Sequence, residues 1–132
     1  MPALDTNVLI RYVVRDDSAR FAMAKRLIHG CVSEGLPLFI SVTVMLEFEW
    51  VLRSSFHYEK NEVLQILSSL LSAAELIFES EQALEVALQL FREGRADFAD
   101  CLHIALAAQE GQQPFWTFDK GAAKIPGSRL LA

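Results

Sequence analysis

Acidic side chains in this sequence fall where carboxylates could do chemistry. Asp5 directly follows the apolar stretch Pro2-Ala3-Leu4, and Asp119 follows Phe115-Trp116-Thr117-Phe118 in the same way. Asp97 and Asp100 are spaced i, i+3 and share one face at the start of an apolar, alanine-rich segment. Glu47 lies in Val44-Met45-Leu46-Glu47-Phe48-Glu49-Trp50-Val51, where Glu49 and Arg53 form an i, i+4 pair in the favourable order. That pairing turns Glu49 toward water. It leaves Glu47, about 200° around the helix, among Val44, Trp50 and Val51. A carboxylate on such a face needs a partner, and no basic residue stands one turn away. Singly, Asp5, Asp97 and Asp119 read equally well as helix caps. As a converging group, five carboxylates repel one another unless a cation joins them. Hard oxygen donors of this kind select Mg²⁺ or Mn²⁺, ions suited to phosphoryl transfer.

These acids require a scaffold that places strand ends and helix starts together. Short apolar runs at Leu38-Phe39-Ile40, Leu76-Ile77-Phe78, Phe115-Trp116-Thr117 and Arg129-Leu130-Leu131 alternate with longer segments of helical period. Helices are expected at about 6–14, 18–30, 42–54, 59–72, 81–93 and 97–110, with Ser41 or Thr43, and Ser80, as caps. Short strands apolar on both sides, separated by helices, predict a parallel sheet covered on both faces, an α/β protein. Ligand sites in such sheets lie beyond the carboxyl ends of the strands, where Asp5 and Asp119 stand.

Composition bounds the rest. The 132 residues suit one domain, 1–132, and carry no linker or repeat. At 52% hydrophobic, the chain has enough apolar residues for a well-filled core, with a surplus that points to surface covered by an oligomer or partner. Seventeen acidic against twelve basic residues give a net charge of −5, which excludes gripping nucleic acid through bulk positive charge. Setting the five acids of the constellation aside leaves twelve acids against twelve bases, so the acidity is local. Cys31 and Cys101 read as buried free thiols. No secretory signal pattern and no membrane-spanning segment is expected, so a cytoplasmic location is. Trp50, Phe48 and Trp116 read as core, and Phe56-His57-Tyr58 as an exposed link between helices.

Four motifs in this order resemble the PIN-domain family, in particular VapC-type toxin ribonucleases. They are Leu4-Asp5-Thr6-Asn7-Val8-Leu9, Glu47 in the third helix, Asp97-Phe98-Ala99-Asp100, and Thr117-Phe118-Asp119. The resemblance implies a three-layer α/β/α sandwich with a short-stranded parallel sheet. It implies a catalytic and metal-holding set of Asp5, Glu47, Asp100 and Asp119, with Asp97 as an additional acid. Asn7 and Thr117 match positions that orient the acids. The implied activity is Mg²⁺- or Mn²⁺-dependent cleavage of RNA by activated water, with a VapB-like antitoxin as partner and a homodimer as assembly. Arg11, Arg15, Arg95 and Lys120 are candidates for gripping phosphates beside the acids.

Other classes fit less well. A solitary RNA-processing nuclease of the same family is the main alternative, and a non-catalytic binding module would be favoured by loss of a core acid. A phospho-acceptor signalling domain would need an acidic pair after the first strand and an acceptor Asp after a middle one, yet only Asp5 follows the first strand and no Asp lies between Asp17 and Asp97. A haloacid-dehalogenase-like phosphatase would need an acid at position 7, where Asn7 stands.

Overall fold

A computed structural model describes all residues, 1–132. Its contacts group into two compact units, Met1–Glu79 and Ser80–Ala132. The chain is a mixed α/β protein with six α-helices and short parallel strands, the class expected from the alternation of apolar runs and helical segments.

The first unit contains α1 (Thr6–Val14), α2 (Ser18–Ser33), β1 (Leu38–Ile40), α3 (Val42–Ser54), α4 (Lys60–Leu71) and β2 (Leu76–Phe78). Strands β1 and β2 pair in parallel, with Leu38 opposite Leu76 and Ile40 opposite Phe78. The expected strand at Pro2-Ala3-Leu4 is reduced to a single parallel bridge, Ala3 to Phe39. Two hydrogen bonds hold it: Leu4 N–H to the Phe39 carbonyl at 3.0 Å and Phe39 N–H to the Pro2 carbonyl at 2.8 Å. It is short because the chain turns into α1 immediately after Leu4.

Local chemistry sets the helix ends. Asp17 opens α2 by accepting from Arg20 N–H at 3.0 Å, and Ser41 opens α3 by accepting from Val44 N–H at 3.2 Å. Helix α1 stops where Arg15 takes a left-handed conformation, φ +61°. Helices α1 and α2 pack together, α1 also packs on α3, and α3 on α4. Their apolar faces supply a core of Leu9, Ile10, Ile28, Leu38, Ile40, Met45, Phe48, Leu52 and Leu67, all essentially out of solvent. Each such aliphatic side chain contributes about 1.5–3 kcal/mol through burial.

The second unit contains α5 (Glu81–Glu93), α6 (Phe98–Gln109), β3 (Phe115–Thr117), a 3₁₀ turn (Ala122–Lys124) and β4 (Ser128–Leu130). The last strand lies one residue earlier than expected. Strands β3 and β4 are parallel, with Trp116 opposite Arg129. Helices α5 and α6 pack closely, because Ala83, Ala87 and Ala105 on the buried faces let the backbones approach. Phe91 and Phe98 meet edge to face at 5.6 Å between centroids, a favoured aromatic geometry. Ser80, expected as the cap of α5, stands at its N-cap position but its side chain accepts no capping hydrogen bond. It stands in the left-handed region at φ +56°.

Several expectations about orientation are corrected. Glu49, expected in water, is 1% exposed, and Glu47 is exposed. The buried face of α3 runs through Met45, Phe48, Glu49 and Leu52. A carboxylate is tolerated there because Arg53, one turn later, grips it with Nε and with Nη2 at 3.1 Å. Glu47 and Trp50, three residues apart, then share the outward face. Trp50 is 57% exposed and Trp116 is 52% exposed, so neither is core. Phe48 is core, and both cysteines are buried free thiols. Between α3 and α4, His57 is exposed, but Phe56 and Tyr58 are half-buried and pack at 6.5 Å between centroids.

Candidate active site

Each unit carries its own group of candidate acids. In the first, Asp5 is the N-cap of α1, with extended backbone (φ −79°, ψ 160°) and Oδ1 accepting from Thr6 N–H at 2.7 Å. The Asp5 carbonyl also accepts from Leu9 N–H at 3.2 Å, closing the first helical turn. Capping engages Oδ1 and leaves the exposed carboxylate held in one orientation. Next to it, the Thr6 hydroxyl donates to Glu47 Oε1 on α3. Thr6 is 4% exposed, so a buried hydroxyl anchors an exposed carboxylate.

Thr6 is the site residue that sequence reasoning missed. A signal was present: Thr6 falls on the same helical face as Leu9 and Ile10, and a hydroxyl on a buried face needs a hydrogen-bond partner. Asn7, expected to orient the acids, lines a cavity of about 580 Å³ between α1 and α2, together with Arg11 and Leu27.

In the second unit, Asp97 occupies the N-cap position of α6 (φ −66°, ψ 153°), yet its side chain makes no capping bond. Its carbonyl accepts from Cys101 N–H at 3.1 Å, so the backbone opens the helix without the carboxylate. Asp100 lies in the first turn of the same helix, half-buried. Asp119 caps the 3₁₀ turn, with Oδ1 accepting from Ala122 N–H at 2.9 Å and its carbonyl from Ala123 N–H at 3.0 Å. Its own N–H donates to Thr117 Oγ1 at 3.0 Å, so Thr117 fixes the backbone that carries the acid.

The three acids of this unit act on one another. Burial pushes the Asp100 carboxyl above the ordinary carboxylate range, and the charges of Asp119 and Asp97 add to the rise. His103 pulls the other way. The exposed His103 ring also stacks on Phe115 at 6.2 Å and 19°. The ion pairs Arg11–Asp16, Arg20–Asp17 and Arg53–Glu49 use none of the candidate acids. Carboxylate oxygens are the hard donors that Mg²⁺ or Mn²⁺ takes. The side chains as placed do not form a closed group of three His, Cys, Asp or Glu ligands. A bound Mg²⁺ commonly keeps several waters and needs only one or two carboxylates, so the donor chemistry fits that ion without a closed protein cage.

The candidate phosphate-gripping residues divide. Arg11 forks Asp16 with Nη1 at 2.8 Å to both oxygens, while its Nε is buried without a partner. The Arg15 guanidinium covers the Phe21 ring at 4.5 Å. Arg95 lines a cavity of about 480 Å³ with Lys124, Gly121 and Pro126, and Lys120 is exposed beside Asp119.

The family model of the PIN domain matches residues 3–128. A VapC ribonuclease of Aquifex aeolicus (strain VF5) is 20% identical over 125 residues, covering 95% of this chain and 92% of that protein. The six helices and short parallel strands are consistent with the three-layer α/β/α arrangement expected from the motifs. No helix is long and apolar enough to cross a membrane.

Proposed function

The chain belongs to the PIN-domain family, and on that premise we propose that it is a divalent-metal-dependent endoribonuclease acting as the toxin of a toxin–antitoxin pair. Both units serve one catalytic domain spanning 1–132, as one family model covers nearly the whole chain. The observation that supports the reading is the set of acids at the start of α6 and the end of β3: burial and the charges of Asp119 and Asp97 raise the half-buried Asp100 carboxyl, and none of the three acids is in an ion pair. The named relative, a VapC ribonuclease matched over nearly its whole length, supports the choice of RNA, and the VapC-type motifs suggest a toxin.

Asp5, Glu47, Asp100 and Asp119 are the residues that would hold Mg²⁺ or Mn²⁺, with Asp97 as an additional acid. The cation, when bound, polarises the scissile phosphate and lowers the pKa of water. The protein's own part is orientation. The α1 cap fixes Asp5, Thr6 fixes Glu47, and Thr117 with the 3₁₀ turn fixes Asp119. Hydrolysis by water leaves 5′-phosphate and 3′-hydroxyl ends. None of these acids is required as a proton donor.

The partners of this reading are an RNA substrate, a VapB-like antitoxin and a second copy of the chain, in the cytoplasm. The test is incubation of RNA with pure protein and Mg²⁺ or Mn²⁺, with end-group analysis of the products. Cyclic phosphate ends would contradict it. A search for a short reading frame next to the gene, and co-expression with its product, separates a toxin, whose growth arrest is relieved, from a solitary RNA-processing enzyme, which has no such neighbour.

A further inference from the structure

Strands β3 and β4, with the residues that directly follow them, carry exposed apolar side chains that folding does not explain. Trp116 is 52% exposed, Phe118 is 79% exposed and Leu131 is 48% exposed. Trp116 stands opposite Arg129 in the parallel register, and the Arg129 guanidinium lies over the indole at 5.5 Å from the ring centroid. Phe118 follows Thr117 and precedes Asp119, two residues tied together by the Asp119 N–H to Thr117 Oγ1 bond. The most exposed aromatic ring of the chain is therefore held on a fixed stretch of backbone, next to a candidate site acid. Single exposed apolar residues are ordinary. An aromatic pair two residues apart, one of them under an arginine, is not accounted for that way.

We propose that Trp116, Phe118 and Arg129 form a stacking platform for unpaired bases of an RNA substrate. The proposal deepens the nuclease reading and rests on it for the identity of the polymer. The chemistry favours nucleic acid over an apolar protein surface. A protein that buried the indole would also have to desolvate Arg129 and provide it with an acid. A polynucleotide supplies both partners at once, a flat π face for the rings and a phosphate for the guanidinium. Lys120 and Arg129, both exposed, provide positive charge on an otherwise acidic chain. The Cα atoms of Phe118 and Asp119 are ~3.8 Å apart. A base on Phe118 thus belongs to a nucleotide beside the phosphodiester presented to Asp119. Bases stacked inside a duplex cannot reach the rings, so the platform selects unpaired positions.

Trp116 reports on its own occupancy once the second tryptophan, Trp50, is changed to Phe. In EDTA, a short single-stranded oligoadenylate should quench the remaining emission saturably, and a blunt RNA duplex of equal length should not. Phe118→Ala should weaken oligoadenylate binding roughly five- to hundredfold. Phe118→Leu, which keeps the apolar bulk without the π face, should weaken it in the same direction. In Mg²⁺ both should raise KM far more than they lower kcat. Arg129→Ala should flatten the salt dependence of binding. Equal quenching by duplex, absence of quenching, or an unchanged KM in both Phe118 variants overturns the platform. A changed elution volume for Trp116→Ala with unchanged oligoadenylate affinity assigns the face to a second copy and overturns it too. If the wild type cleaves no RNA but single strands still quench, the nuclease reading fails and the platform stands. If the wild type cleaves and none of the binding effects appear, the platform alone fails.

Discussion

The hydroxyl of Thr6, buried at the start of α1, donates to Glu47 Oε1 on α3, across 41 positions of sequence. This bond ties an exposed carboxylate to the helix that Asp5 caps, so two candidate acids share one anchor. Thr6→Val keeps the shape and removes the donor. It is expected to cost about 1 kcal/mol of stability and to reduce kcat while Thr6→Ser retains most of it. Urea unfolding and RNA cleavage rates of the two variants check this.

Asp100→Asn separates stability from activity. In the folded protein burial and the neighbouring Asp119 and Asp97 charges raise the Asp100 carboxyl. A raised folded value means the folded state binds the proton more tightly than the unfolded state, whose Asp titrates near ~3.9. The stabilisation from the protonated form is fully present below that value and is lost as pH rises through the folded value. At neutral pH, Asp100→Asn removes the repulsion. Its Tm in EDTA should exceed that of the wild type, with the gain shrinking toward pH 3 and on adding Mg²⁺, and cleavage should be lost. Thermal scans across pH with and without Mg²⁺ measure it.

Glu49 and Glu47 sit two residues apart and should respond in opposite ways. Glu49 is buried against Arg53, whereas Glu47 is exposed. Arg53→Met strands a buried carboxylate and should destabilise by on the order of 3 kcal/mol. Arg53→Met with Glu49→Leu should recover much of the loss. Glu47→Gln should leave stability within ~1 kcal/mol and abolish cleavage. Chemical denaturation paired with activity per folded molecule distinguishes the two acids.

Much of this architecture was legible from apolar spacing. The bounds of β1, β2 and β3, and of α1, follow from short runs flanked by breakers, as at Leu38-Phe39-Ile40 before Ser41. Helix rotation was not. An i, i+4 Glu–Arg pair is favourable in water and equally able to carry a carboxylate into a half-buried setting, so Glu49 and Arg53 do not reveal which way α3 turns. The exposure of Trp116 was hidden for a related reason, since an apolar strand reads the same whether one face is covered or open. The side chain of Asp97, which reads either as a cap or as an additional site acid, makes no capping bond, and its backbone carbonyl alone closes the first turn. The partner of the Thr6 hydroxyl leaves no mark in local sequence, since it lies on another helix, 41 positions away.

The most direct measurement of the central claim is RNA cleavage by the wild type and by Asp5→Asn, in Mg²⁺ or Mn²⁺ and in EDTA. Asn caps a helix about as well as Asp, so the fold persists while a charged oxygen donor is lost. The account predicts cleavage by the wild type with the metal, and none in EDTA or with Asp5→Asn at an unchanged circular dichroism spectrum. Cleavage that survives both EDTA and Asp5→Asn would contradict it.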